Sequence, residues 1–293
     1  MKEASMFMRL GAIAVGFTAM AAAGAAATAY EGGGGMTREA AADVLKKALE
    51  TSREAEGPER RIEVLRTAAE EVSKGRPQNI LVADALRSPT DPPEADAGKL
   101  ADRWRTAVAD AIEVLEFEVT SESPLPDGFP NPLPIGEIGI QKYPAYRLAT
   151  TEAGGGGNGD GAFMRLFGHI TAKGISMTAP VEMDYSEGEN GKSERASMSF
   201  LYRNTGQGTL GGEKVKVQDV GEMTVVSLGL RGRPTENRVS EAEEQFRAWL
   251  ASEGKDYRAA GPIRTLNYNS PFLPAKKQLY EVQIPIEPRE PSK

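Results

Sequence analysis

Residues 163–181 decide the fold: Phe163-Met164-Arg165-Leu166-Phe167-Gly168-His169-Ile170, then Lys173-Gly174-Ile175-Ser176-Met177-Thr178-Ala179-Pro180-Val181. Phe163, Leu166, Phe167 and Ile170 recur at three- and four-residue spacing, the period of a helix that buries one face, and Asp160 is a fair N-cap ahead of them. Phe163 and Phe167 lie one turn apart on the same side. Past Lys173-Gly174 an extended segment runs through residues 175–185.

Outward from this stretch the period is two. Ala196, Met198, Phe200 and Tyr202 alternate with mostly polar neighbours, and Val215 and Val217 with Lys214, Lys216 and Gln218. Tyr280, Val282, Ile284 and Ile286 alternate with Glu281, Gln283 and Pro285. One apolar face per strand predicts half-buried antiparallel strands with the polar face in water. Ser240 and Glu243 have capping-box spacing for a second helix carrying Ala242, Phe246, Trp249 and Leu250. Strand pair, helix and strand pair then occur twice: residues 138–150 and 215–230 open the halves, and 175–185 with 197–202, and 263–268 with 279–286, close them. A duplicated ββαββ unit of this kind predicts an α+β fold, a curved antiparallel sheet or barrel with two helices and a cleft between the halves.

Upstream the pattern is helical. Over residues 37–119 the stripes Val44/Leu45/Ala48/Leu49, Ile62/Leu65/Ala69/Val72 and Leu100/Trp104/Val108/Ile112/Leu115 predict two or three amphipathic helices that must pack on something. They also offer a surface for a protein partner. Pro124, Pro126, Pro130, Pro132 and Pro134 mark residues 120–134 as an extended linker. Residues 1–29 have the build of a secretory signal: Lys2 and Arg9, an Ala/Gly-rich apolar run from Leu10, then Ala27-Thr28-Ala29. The expectation is an exported protein, periplasmic or extracellular, with an uncleaved N-terminal anchor as the alternative.

Composition removes several functions. The 293 residues carry a formal charge of −7, the wrong sign for a protein that neutralises nucleic-acid phosphate. The absence of cysteine excludes disulfides, thiolate nucleophiles and iron–sulfur clusters, and the single histidine, His169, excludes multi-imidazole zinc chemistry. The Gly154–Gly157 run lacks the Lys-Ser/Thr of a phosphate loop and reads as a hairpin loop.

The helix of residues 163–170 followed by Met177-Thr178-Ala179-Pro180-Val181 resembles the signature of the SOUL heme-binding family. Ile140–Tyr146 resembles the family's opening strand and turn, Leu266–Phe272 its Y-x-x-P-F/W segment, and Tyr280-Glu281-Val282 the start of its last strand. The resemblance covers residues 135–288. It implies a distorted antiparallel β-barrel with two flanking helices, and noncatalytic carriage or buffering of heme or another tetrapyrrole in an apolar groove along the first helix. Three departures stand out. The helix-to-strand connection, Thr171-Ala172, is short. Lys142 stands where some members carry a histidine, and His169 stands where tyrosine is usual. The family's axial histidine is therefore not carried over.

A heme is a flat apolar plate with carboxylates at one edge, so a site needs apolar walls, a cation and, for tight binding, an axial ligand. The candidate cofactor-binding residues are Phe163, Met164, Phe167 and Met177 as walls, Arg165 as the cation, His169 as the metal ligand, and Lys142, with Tyr143, as a lesser candidate. No catalytic residue is assigned. The enzyme alternative, acting on another small hydrophobic ligand, would use Glu182, Asp184 or Tyr202 as acid/base, although Glu182 and Asp184 read first as a solvent-facing pair.

Overall fold

The computed structural model describes residues 35–75, 79–87, 96–153, 160–188 and 193–289. The expected signal segment and the Gly154–Gly157 loop lie outside them.

Among the described residues, four α-helices precede the sheet. Helix α1 (Arg38–Glu54) starts at Thr37, whose hydroxyl accepts the Ala40 N–H. Helix α2 (Pro58–Gly75) has proline at its first position, after Gly57 at φ +80° turns the chain. Helix α3 (Ile80–Leu86) is capped by Asn79, which accepts the Val82 N–H at 3.0 Å. Helix α4 (Ala97–Leu115) follows Asp96, whose carboxylate accepts the Gly98 N–H at 2.7 Å. The three long helices follow the stripes in the sequence. Helix α3 did not show there because seven residues are too few to display a period.

Among the described residues nine strands form one antiparallel sheet: β1 (Ile138–Tyr143), β2 (Tyr146–Glu152), β3 (Val181–Glu187), β4 (Ser193–Leu201), β5 (Lys216–Val220), β6 (Met223–Arg231), β7 (Tyr257–Ala259), β8 (Arg264–Asn267) and β9 (Leu279–Pro288). Their order is β1-β6-β9-β8-β3-β4-β2-β5, with β7 added beside β9. Helix α5 (Asp160–Ala172) joins β2 to β3, and α6 (Glu236–Ser252) joins β6 to β7. Among the described residues no hydrogen bonds join β1 to β5, so the expected barrel is an open, curled half-barrel. Closure would need those end strands to pair. Here other parts of the chain fill the opening. Helix α6 begins after Thr235, whose hydroxyl accepts the Arg238 N–H, and not at the Ser240 box. That helix starts at the first residues free of the constraint Pro234 places on its predecessor.

Alternation divides the sheet into two faces. On the outer face Ala149, Met198, Phe200 and Val217 meet α5, while Val226, Leu228, Val282 and Ile284 meet α6. The inner face is also covered, contrary to the expectation of water there. Leu45, Leu65, Val72, Trp104 and Val108 of the helices share one apolar cluster with Tyr143, Val225, Leu266 and Leu279 of the sheet.

The proline-rich stretch lies between them as a strap. Phe129 sets its ring edge-on to Tyr143 (centroids 4.9 Å apart) and Tyr146 (5.2 Å). Those tyrosines come from β1 and β2, first and seventh in the strand order, so the sheet curls around this ring. The backbone is tied down as well. Asp127 N–H donates to Arg203 O at 2.8 Å, and Ala179 N–H to Pro124 O at 3.0 Å. Gln141 donates to Asn131 O at 2.9 Å.

Phe129→Ala should therefore destabilise the fold by about 3 kcal/mol, the cost of a cavity beneath a packed aromatic. Urea denaturation measures it. A loss within experimental error would mean the strap contributes nothing to closing the inner face.

Candidate functional site

Helix α5 is amphipathic in an unusual sense, since its outward side is also partly apolar. Ala162, Leu166 and Ile170 are buried against the sheet. Phe163 bridges inside and outside: its ring meets Phe200 edge-on at 5.0 Å and stacks on Phe167 at 6.2 Å, with planes 10° apart. Phe167 is 44% exposed and Met164 63% exposed. Half-buried Ile175 and Met177 pack against the same cluster. Phe163, Met164 and Phe167 thus form a continuous apolar strip with one side against the protein and one in water.

The polar candidates have defined partners. Arg165 donates to Glu152 O at 2.8 Å and Thr151 Oγ1 at 3.2 Å, which pins α5 to the end of β2. His169 Nε2 lies 3.0 Å from the Tyr202 hydroxyl. Burial lowers the His169 pKa, Lys173 adds to the effect, and the ring is neutral near pH 7. Burial raises the Tyr202 phenol, so this partner is neutral too. Lys142 is exposed on β1, which is hydrogen-bonded to β6 and not to the strands beneath α5. The structure brings Phe163, Met164, Phe167 and His169 onto α5 with Met177 in the loop that follows it, and leaves Lys142 elsewhere.

These residues fit a tetrapyrrole in part. The strip matches the face of an apolar plate, and the neutral imidazole is in the ligand-competent form. Iron could use that imidazole only through Nδ1 or after Tyr202 releases Nε2.

A second polar centre lies on the inner face. Glu182, expected in solvent, is 4% exposed there. Arg264 Nη1 donates to Glu182 Oε2 at 3.0 Å and to the Tyr146 hydroxyl at 2.8 Å, and Tyr146 donates to the same carboxylate at 2.9 Å. Gln283 Oε1 accepts from Arg264 Nε and Nη2, while its Nε2 donates to Tyr143, Gln141 and Ser227. Glu281 accepts from the Tyr268 hydroxyl at 2.5 Å and from the Leu133 N–H of the strap at 2.8 Å.

Burial raises the carboxyls of Glu182 and Glu281, opposed by Arg264 at the first and by the Tyr268 and Leu133 donors at the second. Burial opposes the charge on Arg264, and Glu182 with Tyr146 outweighs it and holds the guanidinium above its ordinary value.

The three acid/base candidates do not converge on one site. Glu182 faces inward and Tyr202 outward under α5, on opposite sides of the sheet, while Asp184 accepts from Ser197 Oγ at 2.7 Å. Sequence reasoning missed this centre because Glu281 and Gln283 alternate with apolar residues as a solvent face would. The signal was the unassigned target of the three upstream apolar stripes.

Glu281 is neutral more readily in the fold than in the unfolded chain. Its contribution to stability is present below its unfolded value of 4.5 and is lost as pH rises through the higher folded value. Melting temperature should thus fall more steeply above pH 4.5 in the wild type than in Glu281→Gln, which stays neutral throughout. Parallel curves would show that Glu281 ionises as it does in water.

Comparison with known proteins places the sheet-bearing part of the chain. No curated protein matches it. Among solved structures, the C-terminal domain of EcmrR is 14% identical, covering 52% of this chain and 98% of its own at a TM-score of 0.39. A hydrolase from Listeria innocua is 13% identical, covering 53% and 94% at 0.40. SAV2435 bound to tetraphenylphosphonium is 15% identical, covering 52% and 94% at 0.33. At these values the likenesses say nothing about activity. The family model described as SOUL heme-binding protein matches residues 135–285, just over half of the chain. With the motif on α5 and β3 and the half-barrel around it, the chain belongs to the SOUL heme-binding family.

Proposed function

We propose that this protein is an exported, noncatalytic carrier or buffer of heme or a related tetrapyrrole, held along the outward side of α5. The exposed strip Phe163–Met164–Phe167 carries the reading. An aromatic pair and a methionine left half in water on the signature helix of a heme-binding family are surface that a flat apolar ligand would bury. Met177 extends the wall. Arg165 is the cation nearest the strip along the helix, and meeting a propionate would require it to leave Glu152 O. We assign the ligand to apolar contact and leave His169 with Tyr202, since each satisfies the other.

The strand order supports the duplicated ββαββ unit. It reads the same from either end when β1, β2, β3 and β4 are exchanged for β5, β6, β8 and β9, with β7 as an addition.

Heme titration of the full chain, followed by Soret absorbance, tests the site. Wild type should show a saturable one-to-one shift, and Met164→Glu/Phe167→Glu should weaken it at least tenfold, about 1.4 kcal/mol. His169→Ala should keep the shift. If His169→Ala abolishes it instead, the imidazole is the ligand. No saturable shift in wild type would remove the tetrapyrrole and leave the strip to another hydrophobic molecule.

Export rests on the composition of residues 1–29. Expression in a Gram-negative host with mass analysis of the product should show cleavage after Ala29 and recovery from the periplasm. A full-length product in the membrane fraction would show that the segment is retained as an anchor.

A further inference from the structure

Two tyrosines beneath the start of α6 carry hydroxyls with no partner. Tyr185 on β3 is 2% exposed and Tyr280 on β9 is 0% exposed, and neither oxygen has a hydrogen-bond partner among the described residues. A buried hydroxyl left in this way loses its hydration without compensation. Both rings belong to the apolar cluster under α6. Burial raises the Tyr280 phenol, Arg238 beside it lowers it, and Tyr185 and Glu241 face the same group. Arg195 on β4 stands opposite Tyr185 in the strand register and so shares its face of the sheet.

The two arginines have only carbonyls to hold. Half-buried Arg195 reaches Pro234 O at 3.5 Å, and exposed Arg238 donates to Arg231 O at 2.8 Å. Arg231 and Arg247, by contrast, pair with Glu113 and Glu243. Both carbonyls belong to the turn of residues 231–235 that leads into α6. Gly232 in that turn has φ +104°, and a Cβ on it would lie 3.2 Å from Arg238 Nη1, so the glycine lets the guanidinium lie against the backbone. Thr235 caps α6 at the end of the same turn, where the first N–H groups of the helix lack intrahelical acceptors. Two acids stand near, Glu236 in that first turn and Glu241 facing Tyr280. Both are exposed and screened by water, whereas the phenols and much of Arg195 are withdrawn from it.

We propose that this corner binds a small oxyanion of the phosphate class, held by Arg195, Arg238, the Tyr185 and Tyr280 hydroxyls and the first N–H groups of α6. The donors come from three strands and a helix. That suits a tetrahedral group with oxygens on every side better than a planar carboxylate with two. Water would satisfy the two phenols but would leave two guanidinium groups on one turn without a counter-charge. Arg238 is the exposed member, and it needs only to turn from Arg231 O for an anion to reach the phenol beside it.

Thermal melting of the full chain in inorganic phosphate, against sodium chloride at equal ionic strength, tests the site, with glycerol 3-phosphate as a phosphomonoester. Phosphate should raise the melting temperature saturably with concentration. Tyr280→Phe keeps the ring and should bind about tenfold more weakly, the loss of one hydrogen bond to a charged group. In chloride it should melt no lower than the wild type, because the hydroxyl it removes is unpaired without the anion. Arg195→Gln/Arg238→Gln should remove the phosphate increment. Saturation by either form of phosphate supports the site, and the tighter of the two names the source of the group. A rise in phosphate no larger than in chloride overturns the proposal. So does an increment that Tyr280→Phe and the double arginine variant both retain in full, which would place the anion elsewhere on the chain.

Discussion

An arginine and a glutamate removed from water, Arg264 and Glu182 at 3.0 Å, set the conditions that the rest of the structure meets. Taking two charges out of water costs several kcal/mol per ion unless geometry and further hydrogen bonds compensate. Compensation here comes from four strands: Glu182 on β3, Arg264 on β8, Gln283 on β9 and Tyr146 on β2. Those strands can converge only if the sheet curls. The curl also brings Tyr143 and Tyr146 onto one phenylalanine of the strap.

The same centre explains why the helical segment and the proline-rich stretch belong to the fold around the sheet. A half-barrel leaves its inner face open, and water at Glu182 and Glu281 would remove the low-dielectric setting in which their hydrogen bonds are strong. The strap supplies Phe129 as a lid and the Leu133 N–H as a donor to Glu281, and α4 with its neighbours closes the apolar remainder. The outer face carries the opposite arrangement. Helices α5 and α6 cover it with hydrocarbon, and α5 leaves Met164 and Phe167 beyond what the packing needs. Polar groups are concealed inside and apolar groups are offered outside, so the proposed ligand contact sits on α5 and not in the interior.

Much of this was legible along the chain. The 3.6-residue period marked α1, α2, α4, α5 and α6, because each buries a single face and is long enough to repeat it. The two-residue period marked β4 and β9 for the same reason. The motif from Phe163 to Val181 identified the family before any geometry, and the strip on α5 follows from Phe163, Met164 and Phe167 being close neighbours on one helix. Helix α3 was too short to read. The start of α6 was displaced because Ser240 has capping spacing whether or not Pro234 and Thr235 have already started the helix.

The sequence by itself determined the local periods, the order of elements and the absence of thiol and multi-histidine chemistry, since all of these depend on residue type and near neighbours. Only the tertiary structure decided which polar residues are wet. Glu182, Glu281 and Gln283 alternate as a solvent face would, and their burial depends on residues some 50 to 250 positions away in the chain, on the strap and the helices. Periodicity reports that two faces differ. It carries no information about what covers each face, because that is set by contacts between segments distant in sequence.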